Sequence, residues 1–147
     1  MSELHPPRYL KPMNRVVRVL QRLGIPTGPA MILTVPGRKT GKLRSTPMTP
    51  FTYRGDLYTV AGYPGADWAA NARAAGSGTL ARGRRSRPVR IVELGAQEAR
   101  PVLREFPAQV PVGVGFAKRS GLVHDGTADE FEALAGQLAV FRFDPAG

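Results

Sequence analysis

Glycine and proline divide this sequence into short segments and so restrict its fold. The chain contains 17 glycines and 14 prolines among 147 residues. Both residue types interrupt helices and favour turns, which excludes a helical bundle and a coiled coil. Between them lie short apolar runs rich in β-branched and aromatic residues, a pattern typical of strands joined by tight turns.

The hydrophobic pattern predicts about six strands with three or four helices between them. Because most of these strands follow one another in hairpins, we expect a mostly antiparallel α+β barrel with helices covering its ends. Residues 107–127 receive no assignment. We expect Asp67 to cap the second helix. The predicted strands are 30–35, 46–53, 57–61, 79–82, 88–94 and 139–143, and the predicted helices are 12–23, 67–75, 96–106 and 128–138.

The chain length suits a single domain over residues 12–147, preceded by an extended N-terminal arm at residues 1–11. There is no cysteine and there are only two histidines. Disulfides, cysteine-ligated metals, a cysteine nucleophile and a three-histidine site are therefore excluded. No apolar run is long enough to span a membrane, and the N-terminus lacks a signal-peptide pattern, so we expect a cytoplasmic protein.

The net charge predicts an anionic partner. Lys and Arg total 21 against 11 Asp and Glu, which gives a formal charge of +10. Such an excess attracts nucleic acid, a membrane surface, or a phosphorylated or polycarboxylate ligand, although it also occurs in proteins with merely soluble basic surfaces. The basic amphipathic pattern of residues 12–23 fits a helix packed on the core, and also one lying on an anionic membrane.

The densest cluster of candidate functional residues is the segment Pro-Gly-Arg-Lys-Thr-Gly-Lys-Leu-Arg at positions 36–44, here called the basic loop. Its glycines let backbone N–H groups approach an anion, and its cations supply charge-assisted hydrogen bonds. It is not a Walker A loop, because its glycine spacing is one residue too short and Leu43 replaces the magnesium-binding hydroxyl. From the pattern alone, an anion site and a solvated turn both remain open.

A second candidate lies at residues 61–71, where a strand end, a glycine-containing bend and a helix start form a shelf with outward-facing backbone donors. Trp68, the single tryptophan, fits either a core anchor or the wall of a site for a flat aromatic ligand. A third basic cluster at residues 82–87 lacks interleaved aromatic residues, so we predict no nucleic-acid partner. His124 beside Asp125 fits a surface residue better than a catalytic pair.

The basic loop, followed by Arg44 and Thr46-Pro47-Met48, resembles the deazaflavin-dependent nitroreductase family, whose usual pattern is strand, Gly-Arg-Lys-Ser/Thr-Gly, two residues, Arg, two residues, Pro. The helix beginning Asp67-Trp68 and containing Asn71 continues the similarity, as does the C-terminal strand. The resemblance covers roughly residues 25–95 well and the rest loosely.

This resemblance implies a split β-barrel that binds the deazaflavin coenzyme F-420 and transfers hydride from its reduced form to a quinone, a nitroaromatic compound or another electron-poor acceptor. The coenzyme carries a phosphodiester and an oligoglutamate tail, so it is a polyanion that suits the basic chain. FMN is the alternative cofactor. The cofactor-binding residues that the resemblance implies are Arg38, Lys39, Thr40 and Arg44 for the phosphate, together with Pro47, Met48, Ala61, Gly62, Tyr63, Trp68 and Asn71.

The sequence departs from the family pattern at three points. The bend lacks the usual serine, Asp67 precedes the tryptophan, and the C-terminal third lacks a tyrosine-rich wall for the acceptor. No catalytic residue or proton donor is therefore predicted. The alternative function is a non-catalytic module of the same fold that holds another anionic or lipid-like ligand at the membrane surface. We expect a monomer or homodimer, with residues 12–23 as a peripheral membrane contact.

Overall fold

The computed structural model describes residues 30–146, so the predicted arm at 1–11 and helix at 12–23 lie outside the described residues. The elements, in chain order, are β1 (Met31–Pro36), β2 (Leu43–Met48), β3 (Phe51–Tyr53), β4 (Asp56–Val60), α1 (Asp67–Ala75), β5 (Ser77–Arg82), β6 (Arg85–Glu93), α2 (Ala96–Gln109), α3 (Pro111–Arg119), α4 (Ala128–Glu132) and β7 (Val140–Pro145). Within this range, none of the helices has the length and apolarity needed to cross a bilayer.

The seven strands form one antiparallel sheet in the order β2-β1-β5-β6-β7-β4-β3. β2 and β3 form opposite edges of this sheet, yet only Thr49 and Pro50 connect them. Two residues span only about 10 Å, so the sheet must curl until its edges approach each other. The predicted α+β split barrel is therefore confirmed as a curled half-barrel with flanking helices.

The predicted strand at 46–53 was wrong as a single element. Thr49 and Pro50 interrupt it, and its two halves pair with different neighbours, β2 with β1 and β3 with β4. Proline lacks the N–H that a ladder needs, which fits its position at this break between two edge strands. The sheet consequently has seven strands rather than about six.

The sheet has apolar residues on both faces. One cluster, centred on Phe131 and Leu103, packs α2, α3 and α4 against β3 and β4. The other, centred on Leu33 and Phe141, packs α1 against β1, β5, β6 and β7. This second cluster positions the helix that carries Trp68 over the middle of the sheet.

The β3–β4 hairpin turn is formed by Arg54 and Gly55, because Asp56 already pairs with Tyr53. Both turn residues have positive φ, 52° and 86°. Two consecutive positive φ values match a type I′ turn, whose twist suits a two-residue hairpin.

The predicted helices at 96–106 and 128–138 needed correction. α2 continues through Pro107 to Gln109, and α3 fills part of the unassigned region 107–127. The predicted helix at 128–138 ends at Glu132. After it, the N–H groups of Leu134 and Ala135 donate to carbonyls three residues earlier in the chain, and not four as in an α-helix. Gly136 follows with φ 91°, a value that does not continue a helix.

The loop before α4 depends on one carboxylate. Glu130 accepts hydrogen bonds from the backbone N–H groups of His124, Asp125, Gly126 and Thr127 at 2.7–3.1 Å. These donors lower the pKa of Glu130 from its ordinary 4.5 to about 2. Thr127 returns a bond through its hydroxyl, which accepts from the Glu130 N–H and completes a capping box.

We expect Glu130→Gln to lower the melting temperature at neutral pH and to have less effect in acid. Because folding depresses this pKa, the ionised group stabilises the folded state above pH 4.5, and the contribution is lost as the pH falls towards 2. Thermal melts of both proteins at a series of pH values test this. A difference in melting temperature that stays constant between pH 7 and pH 2.5 would contradict it.

Candidate functional site

The strand register brings the basic loop, the bend after β4 and helix α1 to the same end of the half-barrel. Thr34 pairs with Thr79, so the end of β1 lies beside the start of β5. Val60 pairs with Val140, and Phe141 pairs with Glu93, so the end of β4 lies level with the end of β6. We call this the α1 end of the sheet.

Arg38 fastens the basic loop to α1. The Asn71 Oδ1 atom accepts hydrogen bonds from both the Arg38 backbone N–H, at 3.0 Å, and Nη1, at 2.7 Å. Arg38 Nη2 forms an ion pair with Asp67 Oδ1 at 3.1 Å. The two segments, 33 residues apart in sequence, are therefore held together by one arginine.

Asp67 does not cap α1, contrary to the prediction. The N-cap residue is Ala66, no side chain caps the helix, and Asp67 is its first residue. The carboxylate instead forms an ion pair with Arg38. Arg38 is therefore bound to the protein itself.

Asn71 is buried, with 8% of its surface exposed, so its bonds to Arg38 do not compete with bulk water. We expect Asn71→Ala to leave the Arg38 amide without its acceptor and to lower the free energy of unfolding by about 1–3 kcal/mol. Denaturant unfolding measures the change in the free energy of unfolding. Hydrogen exchange should show that the Arg38 amide loses its protection. Asn71→Asp keeps the acceptor oxygen and should retain the protection; equal exchange in both variants would contradict this role.

The remaining cations of the basic loop surround a compact turn. Gly37 N–H donates to the Lys42 carbonyl at 2.7 Å, and Gly41 N–H donates to the Gly37 carbonyl at 2.9 Å. Gly41 has φ 77°, a conformation that favours glycine. The Arg44 side chain lies against Gly37. Lys39, Lys42 and Arg44 are exposed, so this turn can present three cations to an anion.

The bend after β4 separates a core residue from an exposed one. Ala61 is buried, and its N–H donates to the Ala139 carbonyl at 2.9 Å, continuing the β4–β7 ladder. Gly62, the next residue, is exposed. Tyr63 is half-buried against the cluster beneath α1.

Trp68 packs on the core, as one of its two predicted roles requires. Its ring packs on the cluster beneath α1, with its centroid 5.6 Å from that of Phe141. It is nevertheless only half-buried, so part of the side chain remains accessible at the α1 end. A ligand for this ring stays a prediction.

Pro47 and Met48 lie away from the basic loop, although Met48 packs against the same hydrophobic cluster as Tyr63 and Trp68. Leu43 pairs with Pro36 at the α1 end, whereas Met48 pairs with Met31 at the far end of β2. Six residues of strand place the two ends about 17 Å apart. The motif that suggested Pro47 and Met48 is continuous in sequence, but the extended strand carries them away from the basic loop.

Phe116 was missed in the sequence, because residues 107–127 received no assignment. It lies on α3 and is 42% exposed. A Cβ atom on Gly62 would come within 3.3 Å of its ring, so Phe116 covers the bend at the position without a side chain. The signal available in the sequence was the spacing of the apolar residues Val112 and Phe116, which lie four residues apart as on one face of a helix. In the structure both are exposed.

A cleft of about 210 Å³ lies beside α1, lined by small residues such as Ala66, Ala69 and Gly136, together with Tyr63. On its wall Arg73 forms a two-pronged ion pair with Glu93, at 2.6 and 2.7 Å. The bond to Arg73 lowers the pKa of Glu93, and the bond to Glu93 raises the pKa of Arg73. Both groups therefore remain charged at neutral pH.

Within residues 30–146 there is no His, Asp and Glu cluster that could hold a metal ion.

The comparison with protein families decides the classification. The model of the family described as F420H(2)-dependent quinone reductase matches residues 9–121, more than three quarters of the chain. The protein belongs to this family. As a member of the quinone reductase family that depends on reduced coenzyme F-420, it is an oxidoreductase whose cofactor is that deazaflavin. Membership favours an enzyme over the non-catalytic binding module.

Solved structures show that the reductase shares its fold with other proteins. A structure described as a domain-swapped dimer aligns over 92% of this chain and 98% of its own, with 18% identity and a TM-score of 0.59. A reductase dependent on reduced F-420, FDR-A, aligns over 79% and 94%, with 19% identity and a TM-score of 0.54. A NimC/NimA family protein from Clostridium acetobutylicum aligns over 90% and 81%, with 16% identity and a TM-score of 0.53. No curated protein sequence matches the chain.

Proposed function

We propose that this reductase transfers a hydride from reduced coenzyme F-420 to a quinone-type acceptor at the α1 end of the sheet. The observation that carries the proposal is the attachment of the basic loop to α1 through Arg38, Asp67 and Asn71. It brings a group of cations, a half-buried tryptophan and the bend after β4 to one end of the fold.

The residues of the basic loop suit the anionic part of the coenzyme. Lys39, Lys42 and Arg44 supply cations, and the Thr40 hydroxyl, whose oxygen accepts from the Lys42 N–H at 3.3 Å, keeps a proton to donate. Charge-assisted hydrogen bonds contribute about 1.5–3 kcal/mol each. Because Arg38 is already bound to α1, the loop is ordered before a ligand arrives, which reduces the entropy lost on binding.

The residues around Gly62 suit the reacting part of the site. When bound, the coenzyme supplies the hydride. Phe116 covers the bend at Gly62, and together with the half-buried Trp68 it offers apolar surface that excludes water from one side of a ligand. Reduction of a quinone to a hydroquinone takes up one hydride and one proton, and we propose that the proton comes from water at this exposed bend.

A titration of the purified protein with coenzyme F-420, followed by fluorescence, tests the proposal. We expect saturable binding in the micromolar range or tighter, followed by oxidation of the reduced coenzyme on adding a soluble quinone. If the protein binds the coenzyme and reduces nitroaromatic compounds but no quinone, the proposed acceptor class is wrong. Binding without turnover of either class would indicate the non-catalytic module, and no binding would overturn the site.

Phe116 provides a separate test of where the acceptor binds. We expect Phe116→Ala to raise the KM for the quinone several-fold and to leave the dissociation constant of the coenzyme unchanged, because the ring lies over the bend at Gly62. Val112→Ala is the matched control, since Val112 is also exposed on α3. Equal effects of the two substitutions would remove Phe116 from the acceptor site.

The assembly state stays a prediction of monomer or homodimer. A similar fold occurs in a domain-swapped dimer, which supports the homodimer as the form to look for. Light scattering on the purified protein distinguishes the two.

A further inference from the structure

A second cationic surface lies on the β5–β6 hairpin. Arg82 pairs directly with Arg85 across the hairpin, and Arg87 pairs with Leu80. Side chains two residues apart along a strand share a face, so Arg85 and Arg87 lie on the same face as Arg82. These three residues, here called the arginine cluster, are all exposed.

The arginine cluster has no acidic partner within residues 30–146, where the ion pairs involve other arginines. Like charges placed directly opposite each other on two strands destabilise a hairpin. Arg82 and Arg85 therefore weaken the fold slightly while burying no surface in its core. An exposed cationic patch of this kind attracts anionic partners.

The arginine cluster is separate from the candidate coenzyme site. Ile32 pairs with Ala81, so the hairpin tip lies beside the start of β1, whereas the basic loop follows the end of β1. The length of β1 separates the two by about 17 Å. β6 pairs with β7 from Val89 onward, and the Pro88 carbonyl accepts a hydrogen bond from the Ala146 N–H at 3.2 Å, so residues 85–87 pair with β5 alone and leave one side of the hairpin tip open.

The sequence before β1 carries charge of the same sign. Residues 1–29 join β1 through Ala30, and they contain five Lys and Arg residues against a single acid, Glu3. A single acid cannot neutralise three arginines, so the charge of this cluster favours an anionic partner from another molecule.

We propose that the arginine cluster binds the phosphate groups of an anionic phospholipid surface. The planar guanidinium groups bind phosphate oxygens in pairs, and three of them on one open hairpin face suit an array of headgroups. Nucleic acid fits less well, because residues 77–93 contain no aromatic side chain to stack on bases. The basic amphipathic pattern of residues 12–23 is typical of segments that lie in a lipid interface.

The test is co-sedimentation of the full-length protein with vesicles of phosphatidylcholine, with and without phosphatidylglycerol. We expect binding only to the anionic vesicles, weakened at least about 30-fold in Arg85→Glu/Arg87→Glu. The control Arg100→Glu/Arg119→Glu changes the net charge equally at exposed positions on α2 and α3 and should bind nearly as the unmodified protein does.

Two further measurements keep this surface distinct from the coenzyme site and from a folding defect. Arg85→Glu alone should raise the melting temperature by a few degrees, because it converts a repulsive cross-strand pair into an attractive one. The double variant should bind coenzyme F-420 with an unchanged dissociation constant. Equal loss of vesicle binding in the control variant, absence of binding to anionic vesicles, or retention of the protein on duplex DNA but not on vesicles would each overturn the proposal.

Discussion

Replacing Lys39 with glutamate is expected to weaken the binding of coenzyme F-420 about 100-fold. The substitution removes a cation from the basic loop, which costs about 1.5–3 kcal/mol for a charge-assisted hydrogen bond, and it adds repulsion of the anionic ligand. Each 1.4 kcal/mol corresponds to a tenfold change in the dissociation constant. Fluorescence titration at fixed ionic strength measures the effect.

The control for Lys39→Glu is Arg100→Glu, which changes the net charge by the same amount on the outer surface of α2. It should alter the coenzyme affinity by less than about threefold, because exposed charges beyond about 10 Å are largely screened at 0.1 M salt. A Lys39→Glu protein that binds the coenzyme as tightly as Arg100→Glu does would show that the basic loop is not the anion site. Family membership would be unaffected by that result.

Phe131→Ala is expected to cause the largest loss of stability, about 3–5 kcal/mol. Phe131 is fully buried between α4 and α2, with its ring centroid 5.1 Å from that of Phe106. Removing the ring loses its apolar burial and leaves a cavity, because the surrounding helices relax only in part. Denaturant unfolding monitored by circular dichroism gives the change in the free energy of unfolding.

Phe116→Ala serves as the matched comparison, since it removes the same atoms from a ring that is 42% exposed. Its cost should be below about 1 kcal/mol, because much of the ring is in water in the folded protein as well. A similar cost for both substitutions would mean that α4 is not packed as described. The same unfolding measurement also shows whether Phe116→Ala is folded, so that its kinetic effect is not mistaken for a loss of structure.

Local features of the fold were predictable from the sequence. The start of β1 and the extent of α1 depend on neighbouring residues: an apolar run, and a helix followed by Gly76. Such features need only the preferences of a few adjacent residues. Proline inside a helix misled the prediction, because packing of α2 on the core outweighs the break expected at Pro107.

The candidate site was predictable only as a set of segments. The basic loop and the shelf with Trp68 each stood out by residue type, and the family resemblance joined them. The role of Arg38 was not predictable, because its partners Asp67 and Asn71 are 29 and 33 residues further along the chain. The same holds for Phe116, whose relation to Gly62 depends on how α3 packs across the bend.

The amino-acid sequence alone determined that the chain forms short strands with tight turns, that it attracts anions, and that cysteine chemistry plays no part. Those properties follow from residue types and from neighbours along the chain. Only the tertiary structure decided that the basic loop meets α1, that Pro47 and Met48 lie at the opposite end of β2, and that three arginines share one hairpin face. Strand register sets these relations, and register depends on the packing of the whole sheet and not on any one segment.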